Sequence, residues 1–236
     1  MAALLTWLWA FVTADTTVYA ILPGRGFEEA ASILGKDYAG GLSRDGWAVY
    51  RRFVLAVHQT CLAHLLRRCR ELKRDHPHAV LPVQVETLLK RGLQVRDRRD
   101  AGKISAHGAA IAGGRLSKEL LLVLERPSTL PAMDRFAKHL ATEFVAVFNF
   151  LFHPALDATN WRAEQAIRPA VVTRKMCGGG NRTWRGAETQ QVLASVLRTA
   201  SQRGLDSSDL LVQMLRSPVP MIPAGLRTRP QQPTAR

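Results

Sequence analysis

The spacing of apolar residues at the start of the chain predicts a β-hairpin followed by a helix. Aromatic and β-branched residues fill positions 7–12 and 16–22, and Asp15 lies between these two segments. From 27 to 34, apolar residues recur every three or four positions, which is the period of one helix face. A short and weak strand pattern over 40–43 comes next.

Helical character resumes at Trp47 and is followed by a further strand over 56–60. From Leu62 the period is again that of a helix, and residues 80–152 carry little strand signal. The later part of the chain predicts a helix capped by Asp157 or Thr159, a strong helix that ends near Gly204, and a short helix capped by Ser207.

Strands therefore come first and helices afterwards, which indicates a chain of the α/β (α+β) class. The predicted organisation is a small sheet with flanking helices over 1–76, a helical insertion over 77–152, C-terminal helices over 153–216 and a disordered basic, Pro-rich tail over 217–236.

Composition adds a strong preference for polyanions. The chain has 236 residues with 33 Lys and Arg against 19 Asp and Glu, so its formal net charge is +14. A field of this sign attracts nucleic acid first and an anionic membrane second, whereas the alternative is a charge that only improves solubility. Hydrophobic residues make up 47%, which is enough for a sizeable core and excludes global disorder.

The cysteines and the N-terminus bear on the compartment. Three widely spaced cysteines, Cys61, Cys69 and Cys177, do not form a disulfide framework and fit a reducing compartment. The apolar start has no basic residue before Arg25 and is too short to span a bilayer, which takes about 20 residues. A buried strand explains it better than a signal peptide, although a secreted protein stays an alternative.

Two groups of side chains could carry chemistry in the first part of the chain. Asp45 follows a short strand, where a fixed backbone can present a carboxylate, although Asp-Gly is also a frequent turn pair. His58, Cys61 and His64 are spaced by three residues each, and a zinc site built from them would still need a fourth ligand. The alternative for these three residues is packing where a strand runs into a helix.

A second concentration of chemistry lies between residues 159 and 203. Glu164 shares a predicted helix face with Asn160 and Arg168, so it is either an ion-pair partner or a metal ligand among groups that hold phosphates. A glycine run over 178–180 lets a backbone approach a phosphate, but such runs are more often plain loops. The basic residues of this stretch are Arg162, Arg168, Arg174, Lys175, Arg182, Arg185, Arg198 and Arg203.

Taken together, these segments resemble the DDE transposases of the IS66-type insertion-sequence family. The matching segments, in order, are WLWAFVT, GRGFEEAASILG, SRDGWAVY, HQTCLAHLLR, TNWRAEQAIRPAVVTRKMCGGGNRTWRGAE and ASVLRTASQRG. The resemblance covers about residues 5 to 215, and the block over 159–188 is its most specific part.

The resemblance implies a ribonuclease H-like core that carries a helical insertion before its last acidic residue. It implies two Mg²⁺ ions held by three carboxylates for DNA strand cleavage and transfer, with Asp45 as the second aspartate and Glu164 as the glutamate. Cys61 and His64 match a Cys-x-x-His of the family and are expected to be structural. DNA contacts are expected from Arg162, Arg168, Arg174, Lys175 and Arg182.

Partners and location follow from the same resemblance. They are transposon-end DNA, a homo-oligomer assembled on that DNA, no membrane, and the nucleoid in a bacterial cytoplasm.

One expected residue is not present at its place. The family's first aspartate precedes the tryptophan-rich strand, but residues 1–6 contain no acid, and Asp15 comes after that strand. We therefore expect an N-terminally truncated transposase that lacks the first central strand and is inactive alone. The alternatives are a non-catalytic DNA-binding remnant that modulates a full-length enzyme, and a small zinc protein.

Overall fold

The computed structural model describes residues 6–176, 180–219, 222 and 224–226, and within them the chain is a mostly helical α/β protein. It divides into two compact units. One unit combines the described parts of 1–29 and 161–236, and the other comprises 30–160. The division falls inside the first helix, α1 (Phe27–Leu34), whose bounds agree with the sequence prediction.

The first unit is built around the predicted hairpin. Strands β1 (Trp7–Val12) and β2 (Thr17–Leu22) pair antiparallel with Trp7 opposite Leu22 and Val12 opposite Thr17. The turn is closed by the Thr13 amide, which donates to the Thr16 carbonyl at 2.8 Å. The aromatic and β-branched residues therefore do form the two strands that their pattern predicts.

A helix, rather than a strand, covers the outer edge of β2. Side chains of helix α8 (Trp184–Gln202) accept hydrogen bonds from alternate amides of β2. Thr199 Oγ1 accepts from Thr17 at 3.1 Å, Ser195 Oγ accepts from Tyr19 at 2.9 Å, and Gln191 Oε1 accepts from Ile21 at 2.8 Å. The three β2 residues are thus satisfied by side chains placed four residues apart on α8, which lie on one helix face.

Two further helices complete this unit. Helix α7 (Trp161–Met176) packs on β1, and the Tyr19 hydroxyl donates to the Ala166 carbonyl. Helix α9 (Ser207–Arg216) packs on α8. The prediction of Ser207 as its cap is wrong, because Asp206 is the N-cap and its carboxylate accepts from the amides of Ser208 and Asp209. A carboxylate satisfies two amides there, which one hydroxyl at the next position does not.

The second unit contains a parallel pair of strands. Strands β3 (Gly41–Arg44) and β4 (Val57–Thr60) run parallel with Gly41 opposite Val57. The connection between them holds a 3-10 helix, Ala48–Arg52, and not the α-helix expected from Trp47 onward. The amides of Tyr50 and Phe53 donate to the carbonyls of Trp47 and Tyr50, three residues earlier, which is the hydrogen-bond pattern of a 3-10 helix.

The helices that follow this pair are α2 (Leu62–Asp75), α3 (Val80–Asp100), α4 (Ala106–Leu124), α5 (Pro131–Val147) and α6 (Asn149–Phe152). Helices α5 and α6 pack on β4, and α3 packs on α2 and α4. Their apolar stripes form one continuous core that includes Leu62, Leu89, Leu120, Leu140 and Phe150. The helical stripes predicted from Leu62 onward are therefore buried, as their spacing indicated.

The outer side of β4 is sealed by side-chain amides. Gln59 is fully buried, and its Nε2 donates to the Val147 carbonyl at 3.1 Å while its Oε1 accepts from the Phe150 amide at 2.9 Å. Asn149 Nδ2 donates to the His58 carbonyl at 2.7 Å. These bonds fix the end of α5 and all of α6 against the strand.

The elements described do not test the expected first strand, the domain limits or the tail. Within the described residues the sheets are β1–β2 and β3–β4, and the place expected for a first strand falls largely on residues 1–5, outside them. The domain limits at 76, 152 and 216 stay predictions, and most of the expected tail also lies outside the described residues. Throughout the described helices, none has the length and apolarity that a membrane span requires.

Candidate functional site

Asp45 stands directly after β3 in the second unit, as predicted. Its side chain is half-buried, and Oδ1 accepts a hydrogen bond from the Trp47 amide at 3.0 Å. Its main-chain carbonyl accepts from Nη1 of Arg44 at 3.1 Å. Both ends of the residue are thus held, which leaves the second carboxylate oxygen as the atom that can meet a ligand.

Behind Asp45 lies a buried network of charges that the sequence did not reveal. The Arg44 and Glu143 side chains are 3% and 0% exposed, and Nη2 of Arg44 pairs with Oε2 of Glu143 at 2.8 Å. Arg51 pairs with the other Glu143 oxygen at 3.0 Å. Nε of Arg44 donates to Nδ1 of His58 at 3.2 Å. Nε and Nη1 of Arg44 therefore donate hydrogen bonds, whereas Nη2 meets Glu143 as an ion pair that lacks hydrogen-bond geometry.

The ionisation of the network follows from its surroundings. Burial alone would raise the pKa of Glu143, but pairing with Arg44 and Arg51 outweighs it and lowers the pKa, so the carboxylate stays charged. Burial and the charge of Arg44 lower the pKa of His58. A neutral His58 agrees with its contacts, because Nδ1 accepts from Arg44 while Nε2 lies 2.9 Å from the Phe53 carbonyl.

Tyr50 is a further titratable group under the influence of Asp45. Burial raises the pKa of Tyr50 to about 12, the negative charge of Asp45 adds to this rise, and Arg44 opposes it. The phenol therefore stays protonated and uncharged at neutral pH, so it adds no second negative charge beside Asp45.

The Cys-x-x-His pair lies where β4 runs into α2. Cys61 is buried, its amide donates to the Arg44 carbonyl at 2.8 Å, and its sulfur accepts from the Asn160 amide at 3.4 Å. Since both ring nitrogens of His58 contact other groups, His58 is not available to complete a zinc site with Cys61 and His64. The structural role of Cys61 and His64 stays a prediction.

Glu164 and the predicted DNA contacts belong to the first unit. Glu164 is half-buried in the first turn of α7, where the helix dipole favours a negative charge. Arg162 places its guanidinium 5.1 Å from the Trp161 ring centre and is also half-buried. The other predicted contacts are all exposed, namely Arg168, Arg174, Lys175 and Arg182.

Not every basic residue of this stretch is available to a ligand. Arg203 has a structural role, because its Nε donates to the Asp15 carbonyl at 2.9 Å and its Nη1 donates to the Gly225 carbonyl at 2.9 Å. Cys177 and the first two residues of the predicted glycine loop, 178 and 179, lie outside the described residues. Asp45 belongs to the second unit and Glu164 to the first.

Sequence reasoning missed Arg44 and Glu143, although one signal was present. Glu143 continues the three- and four-residue spacing of Met133, Phe136 and Leu140, which are the buried residues of α5. An acid at such a position is buried and needs a cationic partner. The spacing indicates that a partner exists but does not identify it.

Comparison with known proteins gives one match. The family model described as Transposase IS66 family matches residues 3–189, which is most of the chain and includes both Asp45 and Glu164. No curated protein and no solved structure matches the chain.

Proposed function

This chain belongs to the IS66 family of transposases, and we propose that it binds transposon-end DNA and takes part in metal-dependent cleavage and transfer of DNA strands. The observation that carries this proposal is the family match over 3–189, combined with the exposed basic side chains of α7. The site of action is the nucleoid, where a homo-oligomer would hold paired ends.

A ribonuclease H-like fold is the architecture we propose for the catalytic core. An antiparallel hairpin, a parallel strand pair with Asp45 at the end of one strand, and helices that follow both are compatible with it. Helices α3 to α6 then form the insertion that is expected over 77–152, before the last acidic residue.

Asp45 and Glu164 are the ligands we propose for Mg²⁺. Transposases of this kind generally use divalent metal ions, and the carboxylate oxygens offered here are the hard donors that Mg²⁺ prefers. The second oxygen of Asp45 suits such a role because the first is already engaged by the Trp47 amide. When bound, the ion supplies Lewis-acid stabilisation of phosphate oxygens.

Phosphate binding is the role we propose for the exposed cations of the first unit. Arg168, Arg174 and Lys175 extend from α7 into solvent, and Arg182 lies shortly before α8. Cations on a surface of this kind bind the DNA backbone without reading its sequence, and their contribution falls steeply with salt.

The DNA-binding part is tested with paired variants of equal charge. We expect the double variant Arg174→Ala/Lys175→Ala to bind a fluorescent duplex more weakly and to lower the salt slope of log K by about 2, since each phosphate contact contributes about 0.9. The control variant Arg115→Ala/Lys118→Ala removes two exposed charges from α4. Equal losses in both variants, measured by anisotropy over a NaCl series, would contradict a specific role for α7.

The catalytic part is tested on a supercoiled plasmid that carries the gene with its natural flanking DNA. Mg²⁺-dependent nicking that Asp45→Asn and Glu164→Gln abolish, while DNA binding is kept, would support catalysis by this chain and overturn the expectation that it is inactive alone. The exposed cations also favour a second candidate, a non-catalytic DNA-binding protein that modulates an active transposase. Tight, salt-dependent binding without any nicking would support that candidate over the catalytic one.

A further inference from the structure

The buried charges around Arg44 connect the candidate metal ligand to a distant helix. Arg44 ends β3 and immediately precedes Asp45, whereas Glu143 lies in the last turns of α5. The only groups that neutralise Glu143 among the described residues are Arg44 and Arg51. The helical part of the second unit thereby reaches the backbone of Asp45 through one guanidinium.

Stability alone does not account for this arrangement. A buried ion pair loses the hydration of both partners, and replacing it with apolar residues of similar volume is often neutral or stabilising. The pair gives orientation instead, because a guanidinium is planar and its donors point in fixed directions. Here hydrogen bonds from Nε to His58 and from Nη1 to the Asp45 carbonyl at 3.1 Å fix the guanidinium, and Glu143 holds Nη2 as an ion pair 2.8 Å from its Oε2.

We propose that Glu143 is a positioning residue that acts through Arg44 to fix the backbone of Asp45 and so orient its carboxylate. The chain of contacts runs from Glu143 Oε2 to Arg44 Nη2, and from Arg44 Nη1 to the Asp45 carbonyl. The Asp45 carboxylate then turns back to accept from the Trp47 amide. The inference rests on the proposed role of Asp45 as a metal ligand.

His58 and Arg51 support the same arrangement from two other segments. His58 on β4 holds Nε of Arg44, and the Phe53 carbonyl in turn fixes the ring of His58. Arg51, in the 3-10 helix, balances the second oxygen of Glu143. Removing Glu143 leaves a buried Arg44 without its counter-charge, so the guanidinium loses the partner that orients it.

The test follows Mn²⁺, added alone, through its paramagnetic broadening of the amide signals of Gly46 and Trp47. In the full chain we expect broadening that Asp45→Asn removes. We expect Glu143→Gln to need about 10-fold more Mn²⁺ for the same effect, as is usual when a group that orients a metal ligand is lost. The control is Glu119→Gln, which removes a carboxylate of a partly exposed pair with Arg91 and should change nothing.

A second variant separates positioning from loss of stability. Arg44→Met/Glu143→Leu removes both charges and fills the space with apolar groups, so we expect its thermal midpoint to stay close to that of the natural chain. A merely structural role predicts that this double variant also regains the natural response to Mn²⁺. Positioning predicts that it stays about 10-fold weaker, and a natural response in the folded double variant overturns the proposal.

The outcome also distinguishes this inference from the proposed function. If Asp45→Asn leaves the broadening unchanged, Asp45 is not a ligand and that part of the proposed function fails. The metal-free amide signals of Asp45 and Trp47 then decide the inference. Their displacement in both Glu143 variants, with no change in Glu119→Gln, supports positioning, and unchanged signals overturn it.

Discussion

Two adjacent glycines in α4 show that the effect of adding a methyl group depends on the space around it. A Cβ at Gly113 would lie 3.0 Å from the Phe152 ring and 3.1 Å from Leu151 Cβ, whereas a Cβ at Gly114 would meet nothing within 4 Å. Gly113 therefore allows α6 to approach α4 closely, and Gly114 has no such role.

We expect Gly113→Ala to be less stable than Gly114→Ala. Alanine improves helix propensity by about 1 kcal/mol at either position, so Gly114→Ala should stabilise the chain. At Gly113 the same gain is opposed by overpacking, which costs about 1–3 kcal/mol. Urea unfolding of both variants measures the difference directly, and equal free energies of unfolding would contradict the close packing at Gly113.

At the same scale, the sequence indicated Asp45 and Glu164 as candidates but not Arg44 or Glu143. The first two stand in recognisable local patterns, at a strand end and in a helix turn between arginines. The other two are defined by each other, and their contact depends on how α5 packs near β3. No local pattern contains that information. The N-cap of α9 was predicted at Ser207 but is Asp206. Both neighbouring residues can cap a helix, and the Asp206 carboxylate accepts from two amides.

At the scale of elements, the strands and most helices were predictable because their burial has a simple period. The hairpin and α1 follow directly from alternation and from a helical stripe. The 3-10 segment before β4 was not predictable, because five residues cannot distinguish helix types by their spacing. The use of α8 side chains to cover β2 was equally hidden, because Gln191, Ser195 and Thr199 look like ordinary polar residues of an exposed face.

The network of Arg44, His58 and Glu143, which joins β3, β4 and α5, should stabilise the chain less in acid. The pKa of His58 is lowered from its ordinary value of 6.5, so the unfolded chain binds the proton more readily. Its contribution to stability is complete above pH 6.5 and is lost as the pH falls through the folded-state pKa. The lowered pKa of Glu143 acts in the same direction below its ordinary value of 4.5.

We therefore expect His58→Gln to make the free energy of unfolding less dependent on pH in the range where His58 titrates. Glutamine can accept from Arg44 and donate to the Phe53 carbonyl, but it does not titrate. Between about pH 7 and about pH 5, the free energy of unfolding should fall less in the variant than in the natural chain. Urea unfolding at a series of pH values measures both slopes, and parallel slopes would show that His58 carries no such linkage.

At the scale of the whole molecule, the two units differ in the kind of core they have. The second unit contains the large continuous core of leucine and phenylalanine side chains. In the first, the described buried apolar residues are mainly small or lie along the hairpin, namely Trp9, Tyr19, Ala20, Ile21, Ala166, Ala187, Ala200 and Leu210. Since stability follows the apolar area removed from water, the second unit should be the more stable one.

A fragment over 27–160, which keeps α1 whole, should fold by itself. We expect a helical circular dichroism spectrum and a cooperative urea transition, because the described core of this unit draws its side chains from within 62–158. In the full chain, amides of β2 and α8 should exchange with deuterium faster than those of α2 and α3. An unfolded fragment, or the reverse order of exchange, would contradict the assignment of stability.

The hydrogen bonds between α8 and β2 also show how many successive strand amides one helix face can reach. Two residues advance a strand by about 6.7 Å, whereas four residues advance a helix by about 6 Å, so the two repeats drift apart with every step. Over the three successive contacts, at Thr199, Ser195 and Gln191, the accumulated difference stays small enough for each hydrogen bond to form. Inserting or deleting one residue between Gln191 and Thr199 would rotate the later contact by about 100° around the helix. This stretch of α8 should therefore accept substitutions among short polar residues much more readily than any change in its length.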